Sequence, residues 1–327
     1  MNSKRTAQYA ACVMLVSALL ARGVSAQPFP SKLVRLVSPY PPAGVNDLLA
    51  RIIAPKLSEY LGQPVVVENR AGATGNIGAE IVARSPADGH TLLMGQAGNL
   101  SINVSLMAKM PFDPVKDFAP ITGLARINQA LVANPALPAN DVRELIALAK
   151  GKPGELSYGS FGTGSSGHVN MELLQTMAGV KFNHIPYKGA TPALTDVAAG
   201  HLTMMFISVG SAVPQWKAGK VKWLAVGSSA RLPQYPEIPT VAESGLPDFE
   251  ATSWFGLFAT GGTPPEVVAK LNAETLRVFN SPTFRQRYLD PQLFEPITTS
   301  PEQFAEFIRV ESQKWSKVLR EANVRIN

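Results

Sequence analysis

Beyond the first 26 residues, short apolar or β-branched runs alternate with patterns of helical spacing along most of the chain. "LVRLVSPY" (Leu33 to Tyr40) predicts a strand, and "NDLLARIIAPKLSEYLG" an amphipathic helix starting near Asn46 or Asp47. "PVVVENR" (Pro64 to Arg70), the short helix "GNIGAEIVARS" and "TLLMGQ" (Thr91 to Gln96) complete a β-α-β-α-β succession. That order argues for an α/β fold with a mostly parallel sheet covered on both faces. "FAPITGLARINQALVANP" is long and β-rich, suited to carrying the chain from one lobe to another. A second series follows: helix "DVRELIALAKGKPG", strand "ELSYGSF", helix "HVNMELLQTMAGV", strand "VKFNHIPY", helix "ATPALTDVAAGH", then strands "LTMMFIS" and "VKWLAVGS". The proline-rich "RLPQYPEIPTVAESGLPDFE" reads as a connection, "ATSWFGLFATG" as a returning strand, and the remainder as helical.

Two βα sets, a β-rich crossover and a return predict two lobes joined by two chain crossings. Lobe 1 is expected over 27–127 and 246–327, and lobe 2 over 128–245. A cleft between such lobes is a usual place for a small ligand. In open α/β sheets that place lies beyond the carboxyl ends of the strands, where loops enter helices.

Four loops occupy that position: "YPPAGVND" (Tyr40 to Asp47), "NRAGATGN" (Asn69 to Asn76), "GSFGTGSSGH" (Gly159 to His168) and "YKGATPALTD" (Tyr187 to Asp196). Each is rich in Gly, Ser, Thr, Asn or Pro. Such loops offer unpaired backbone N–H groups at helix starts, where the macrodipole favours negative charge. Any one of them is ordinary turn chemistry. Four across two lobes point to an anion site. Asp47 and Asp196 fit a helix start better than a ligand contact, and Arg70 suits a surface ion pair. Lys188 is placed to face a cleft. His168 suits either ligand contact or a capped or exposed role.

Charge and leader narrow the class. Lys4 and Arg5 precede an apolar stretch, Ala7 to Leu20, and Val24-Ser25-Ala26 supplies small residues before a cut at Gln27. This is the layout of a secretory signal peptide over residues 1–26, so export to the periplasm is expected. The single cysteine, Cys12, lies inside that leader, so the mature chain is expected to carry no disulfide. Removing Lys4, Arg5 and Arg22 lowers the formal charge from +6 to +3, which makes no case for nucleic acid.

Gly162, Gly164 and Gly167 fit G-x-G-x-x-G, but the next strand ends in Tyr187-Lys188 with no acid for a ribose. Gly164-Ser165-Ser166-Gly167 does not complete G-x-S-x-G, and His90, His168, His184 and His201 fall in no metal spacing. The reading is a binder with no cofactor, no metal and no catalytic residues. An exported serine hydrolase would need Ser165 to meet a histidine and an acid in space.

"YPPAGVNDLLAR", "VVENRAGATGNIGAEIVARSPADGHTLLMG", "HIPYKGATPALTDVAAGH" and "IPTVAESGLPDFEATSWFGLFATGGTPPEVVAKLNAE" together closely resemble the Bug family. Its members are extracytoplasmic solute receptors of tripartite tricarboxylate transporters, and the resemblance runs collinearly over essentially the whole mature chain. It implies a type II periplasmic binding-protein fold closing on one organic carboxylate, mono- or dicarboxylic or aromatic. It implies partner permease subunits in the membrane and a monomeric receptor. A sensor subunit docking on a receptor kinase would share the fold. Carried over by motif, the ligand contacts fall at Tyr40, Ala43, Gly44 and Asn46, and at Ala73, Thr74 and Asn76. From the other lobe they fall at Gly162, Thr163, Ser165, Ser166 and His168, and at Tyr187, Lys188, Gly189 and Asp196. Ser208 and Ser211 after "LTMMF" add contacts that vary with ligand. Where the family's first loop commonly reads P-P-G-G-G-T-D, this chain has Pro41-Pro42-Ala43-Gly44-Val45-Asn46-Asp47. Ala43 and Val45 restrict angles that glycine allows, and Val45 adds apolar bulk suited to a larger or aromatic acid.

Overall fold

The computed structural model describes residues 29–107 and 109–321; the expected leader and Cys12 lie outside them. The chain begins with the predicted alternation. Strand β1 (Val34–Ser38) leads into α1 (Val45–Leu61), then β2 (Val65–Asn69), α2 (Asn76–Ala83) and β3 (Thr91–Gln96). β1 pairs in parallel with both β2 and β3. Leu49, Ile53 and Leu57 recur at helical spacing and lie buried on one face of α1, under the sheet. Left-handed Gly62 ends that helix.

A π turn (Gly98–Ile102) and one helical turn (Asn103–Leu106) then lead to β4 (Phe118–Ala133). This long strand is the first crossing. Its Phe118–Asn128 half pairs antiparallel with β9 (Thr252–Thr260), and its Gln129–Ala133 half pairs with β7 (Met204–Ser208) and β8 (Lys222–Val226). The second lobe places α3 (Val142–Gly151), β5 (Ser157–Ser160), α4 (Ser166–Ala178), β6 (Asn183–Pro186), α5 (Ala190–Ala199) and α6 (Val209–Lys217) around that half. Here β5 pairs in parallel with β6 and β7. α7 (Pro265–Phe279), the short strand β10 (Phe294–Pro296) and α8 (Pro301–Glu321) return to the first lobe. Parallel pairing thus carries the outer strands of each lobe, and antiparallel pairs gather around β4 and β9.

Apolar clusters cover both faces of each half. Leu36, Leu49, Ile53 and Leu271 lie together beneath α1 and α7, and Val37, Phe258, Phe304 and Trp315 beneath α2 and α8. In the second lobe, Leu131, Leu145, Tyr158 and Phe206 form one cluster, and Val132, Leu194, Met205 and Trp223 the other. Leu246, Phe249 and Ala251 were expected in the first lobe, yet they pack in the cluster of Leu131 and Phe206. The second crossing therefore falls at Ala251–Thr252, where Thr252 pairs with Asn128. Apolar side chains after the proline-rich stretch find their burial before the chain crosses, not after it.

Gly227 stands at that junction. Its N–H donates to the Gln129 carbonyl at 2.8 Å, and its own carbonyl accepts from Ala251 at 2.7 Å. A Cβ there would stand 2.5 Å from the Ala251 carbonyl oxygen, a backbone atom that cannot swing aside. Gly227→Ala is expected to lower stability by about 1–3 kcal/mol through overpacking. Denaturant midpoints of the two proteins measure this; an unchanged midpoint would show a hinge soft enough to absorb a methyl group.

Candidate functional site

Strand alternation builds the floor of the interlobe cleft. Ile127 and Gln129 lie two apart on β4, Ser253 and Phe255 two apart on β9, and Ile127 stands opposite Ser253. All four line a cavity of about 200 Å³ bounded by both lobes. Tyr40, Ala43, Gly44, Val45 and Asn46 enclose it from the first lobe. Phe161, Ser166, Lys188, Gly189, Thr191, Leu194, Ser208 and Ser211 enclose it from the second.

The start of α1 faces this space with its amides uncapped. Gly44 is the N-cap and makes no side-chain cap, and the first helical bond runs from the Leu48 N–H to the Gly44 carbonyl. The N–H groups just before Leu48 lack helical acceptors, and the helix dipole adds partial positive charge there. α5 begins in the same way at Gly189 (φ 127°), also without a side-chain cap. Two helix starts from opposite lobes thus line one cavity.

Asp47 holds the first of them in shape. Its carboxylate accepts from the Ala43 N–H at 3.1 Å, from Arg51 Nε at 2.9 Å and from Asn69 Nδ2 at 2.9 Å. Burial pushes that carboxyl up, but the bonds from Arg51, Asn69 and Ala43 outweigh it and leave the group below the usual range. Ala43 itself has φ 67°, a left-handed conformation that disfavours any side chain. The bond to Asp47 is what holds it there.

Asn46 also lines the cavity, but its side chain is already engaged. Ser38 Oγ donates to Asn46 Oδ1 at 2.8 Å, and Asn46 Nδ2 donates to the Met94 carbonyl at 2.9 Å. It ties β1 to β3, leaving its backbone for the cleft. Tyr40 donates its hydroxyl to the Thr74 carbonyl at 2.8 Å. Burial pushes the Tyr40 phenol up, and a hydrogen bond from Gln96 pulls it part of the way back.

The second loop makes a contact between lobes. Thr74 (φ 53°) donates its hydroxyl to the Thr163 carbonyl at 2.7 Å, with Gly162 (φ 127°) alongside. Ala73, Thr74, Gly162 and Thr163 therefore meet each other rather than the cavity. Asn76 is buried between Met107 and Asn103, accepting from Asn103 Nδ2 at 3.2 Å.

The glycine-rich loop before α4 brings Phe161 and Ser166 to the cavity and folds the rest away from it. Ser165 caps α4 by accepting the His168 N–H at 3.4 Å. His168 points beneath the loop. The Gly164 N–H donates to His168 Nδ1 at 3.1 Å, which puts the ring proton on Nε2, 3.7 Å from Glu172. The His168 ring stacks on His184 at 4.1 Å, and His184 on Tyr158 at 4.8 Å. Burial holds both imidazoles down to about 4. His168 is thus a support for the loop, and its ring is bonded to Gly164 rather than to Ser165.

Tyr187 and Asp196 form another pair outside the cavity, the phenol donating to Oδ2 at 2.5 Å. That bond pushes the Tyr187 hydroxyl up to about 12 and holds Asp196 low. Of the positions carried over by motif, Tyr40, Ala43, Gly44, Asn46, Ser166, Lys188, Gly189, Ser208 and Ser211 come together at the cavity. Gln96, at the end of β3, and Ile127, Gln129, Ser253 and Phe255 join them without having been singled out. For the last four the only signal was the period of two along β4 and β9, which reads equally well as core.

A two-lobed α/β molecule with helix starts from both lobes around a shared hinge cavity has the form of a periplasmic binding protein. The profile of the family described as "Tripartite tricarboxylate transporter family receptor" matches residues 49–324. The chain is 35% identical over 315 residues to Protein BugT of Bordetella pertussis, covering 96% of each. It also superposes on the structure of Rhodopseudomonas palustris Rpa4515 with adipate, at TM-score 0.86 and 37% identity, over 91% of this chain and 99% of that one. A second structure, MatC from the same organism with bound malate, matches at TM-score 0.83 and 33% identity, over 89% and 100% of the two chains. The chain belongs to the tripartite tricarboxylate transporter receptor family, which includes the Bug proteins. Members of this family are periplasmic receptors, and among the described residues no helix is long and apolar enough to cross a membrane.

Proposed function

We propose that this chain captures one organic carboxylate between its lobes in the periplasm and delivers it to the permease subunits of a tripartite transporter. The observation that carries the reading is the start of α1, which has no side-chain cap and whose Gly44, Val45 and Asn46 line a cavity shared by both lobes. A carboxylate there meets backbone donors and the positive end of a helix dipole without needing a cation in the first lobe. Adipate and malate are the ligands of two similar structures, which supports the same ligand class here.

Capture works through the hinge. The lobes touch through Thr74 and Thr163, and the crossings lie in β4 and just before β9. A ligand that contacts both helix starts binds the closed arrangement better than an open one, and only that difference shifts the equilibrium. The receptor acts as a monomer, and a leader over residues 1–26 exports it.

The test is a melting-shift screen of mono-, di- and tricarboxylates, aromatic acids and neutral sugars. At a concentration 100 times its Kd, the correct acid is expected to add about 2.7 kcal/mol of stability. For a mature chain of about 300 residues that corresponds to a rise of roughly 4 °C. A sugar that shifts the transition while every organic anion leaves it unmoved would overturn the ligand class.

A further inference from the structure

A side chain of the second lobe is buried in the core of the first. Val169 lies on α4 and is 0% exposed, yet the apolar cluster that holds it is otherwise built from first-lobe residues, among them Leu100, Trp254, Phe258 and Trp315. α8 of the first lobe packs against α4. Ser166, which lines the ligand cavity, stands one turn before Val169 on the same helix. A helix moves as a rigid piece, so a ligand that draws Ser166 toward the first lobe also seats Val169 there.

Polar atoms around this contact are left unpaired. Asn170 is 0% exposed, and neither its Nδ2 nor its Oδ1 has a hydrogen-bond partner among the described residues. On the first-lobe side, buried Trp254 Nε1 and Asn99 Nδ2 are unpaired as well. Trp254 belongs to the cluster that receives Val169, and Asn99 directly precedes its member Leu100. Native interiors leave few polar groups without partners, because each carries a desolvation cost. Here such groups stand on both sides of one interlobe contact. A contact that water re-enters when the lobes part accounts for them, since the cost then falls on the closed arrangement alone. Burial of the Val169 side chain acts in the opposite sense, as a gain that only the closed arrangement makes.

We propose that Val169 and Asn170 form an interlobe latch that sets ligand affinity from outside the cavity, Val169 favouring closure and Asn170 opposing it. Neither residue lines the cavity, so both are positioning residues and not ligand contacts. Opposed contributions hold the ligand-free chain near balance, where the differential contacts of a small ligand suffice to shift the population. The effect on affinity rests on the proposed capture function; the effect on shape does not.

Small-angle X-ray scattering of the ligand-free chain tests the latch without any ligand. Asn170→Leu keeps nearly the same volume without the amide and is expected to be more compact than Val169→Ala. Asn170→Ala replaces the leucine variant if that one does not fold. Scattering curves that coincide for the folded variants overturn the latch and leave the carboxylate reading untouched. Titration calorimetry with adipate supplies the second readout. Val169→Ala is expected to bind about tenfold more weakly than wild type, the worth of the lost apolar burial. Asn170→Leu is expected to bind about five to ten times more tightly, the worth of one buried polar group relieved.

A residue that merely holds the fold would lower the urea midpoint and could not raise affinity when replaced. Affinity lost in both variants, or altered in neither, therefore overturns the proposal. If adipate does not bind the wild type, the scattering comparison decides alone. A carboxylate screen without a hit overturns the functional reading and leaves the latch standing on its change of shape.

Discussion

Asp47→Ala is expected to cost about 2–4 kcal/mol of stability and to weaken binding of the cognate acid at least roughly tenfold. The carboxylate is 6% exposed and joins three segments: the Ala43 turn, the first turn of α1 and the end of β2. Its removal leaves the Ala43 N–H without its acceptor and takes from Asn69 Nδ2 one of its two, the Tyr40 carbonyl at 3.2 Å remaining. Against that, relief of Ala43 from a left-handed conformation that costs a non-glycine residue about 1–2 kcal/mol offsets part of the loss. The amides of that turn lie at the mouth of the cavity, so the stability loss and the binding loss have one cause. The ion pair to Arg51 contributes little, because that guanidinium is 54% exposed. Arg51→Ala therefore serves as the control, expected to move the midpoint far less than Asp47→Ala. Urea midpoints and melting shifts with the screened acid measure both effects. Equal losses from the two variants would mean that the ion pair, and not the bonds to the turn, is what matters.

The fold was legible because its elements keep their periods. Leu49, Ile53 and Leu57 recur at helical spacing, and the strands that feed the four loops are short apolar runs. Loops that leave strands and start helices had to gather at one end of each sheet, so the position of the cleft followed from the order of elements. What escaped was direction within those loops. His168 follows a glycine-rich turn at a helix start, where a ligand contact is natural. The turn instead folds back so that the Gly164 amide takes the ring nitrogen. Thr74 and Thr163 looked like ligand donors and acceptors, but they meet each other across the lobes. The hinge floor was hidden for a different reason. Ile127 and Gln129, or Ser253 and Phe255, alternate as any half-buried strand does, and only the pairing of β4 with β9 shows that their shared face borders a cavity. The misplaced lobe boundary has the same origin. Proline marks where regular structure stops, whereas Leu246 and Phe249 show where burial continues.

Acid is expected to act on this protein through the same buried histidine. His168 and His184 are held near 4 by burial, against an ordinary value of 6.5. Between those values the unfolded chain binds protons that the folded one refuses. Stability is therefore full above pH 6.5, falls as the pH drops through the window, and loses nothing more from these groups below about 4. For His168 the difference amounts to about 3 kcal/mol, with a smaller addition from the more open His184. Several groups face the pair. Glu172 accepts the Tyr158 hydroxyl at 2.6 Å and draws His184 upward, while Ser160 lies 2.7 Å from the His184 ring and each imidazole opposes charge on the other. The carboxylates act lower on the scale. Glu68, held down to about 2 chiefly by its bond from Arg35, contributes stability that is lost only as the pH falls below about 4.5. Loss between pH 6.5 and 4.5 thus reports the histidines, offset in part by Glu311, whose carboxyl is pushed above its usual range by burial so that it adds stability as the pH falls. His168→Asn keeps an acceptor in reach of the Gly164 N–H and cannot titrate, so its stability should fall less than half as steeply over that window as the wild type's. Urea midpoints at half-unit pH steps supply the comparison. A wild-type curve that stays flat down to pH 4.5 would mean that the stack accepts protons freely, and the glycine-rich loop would then not depend on a neutral His168.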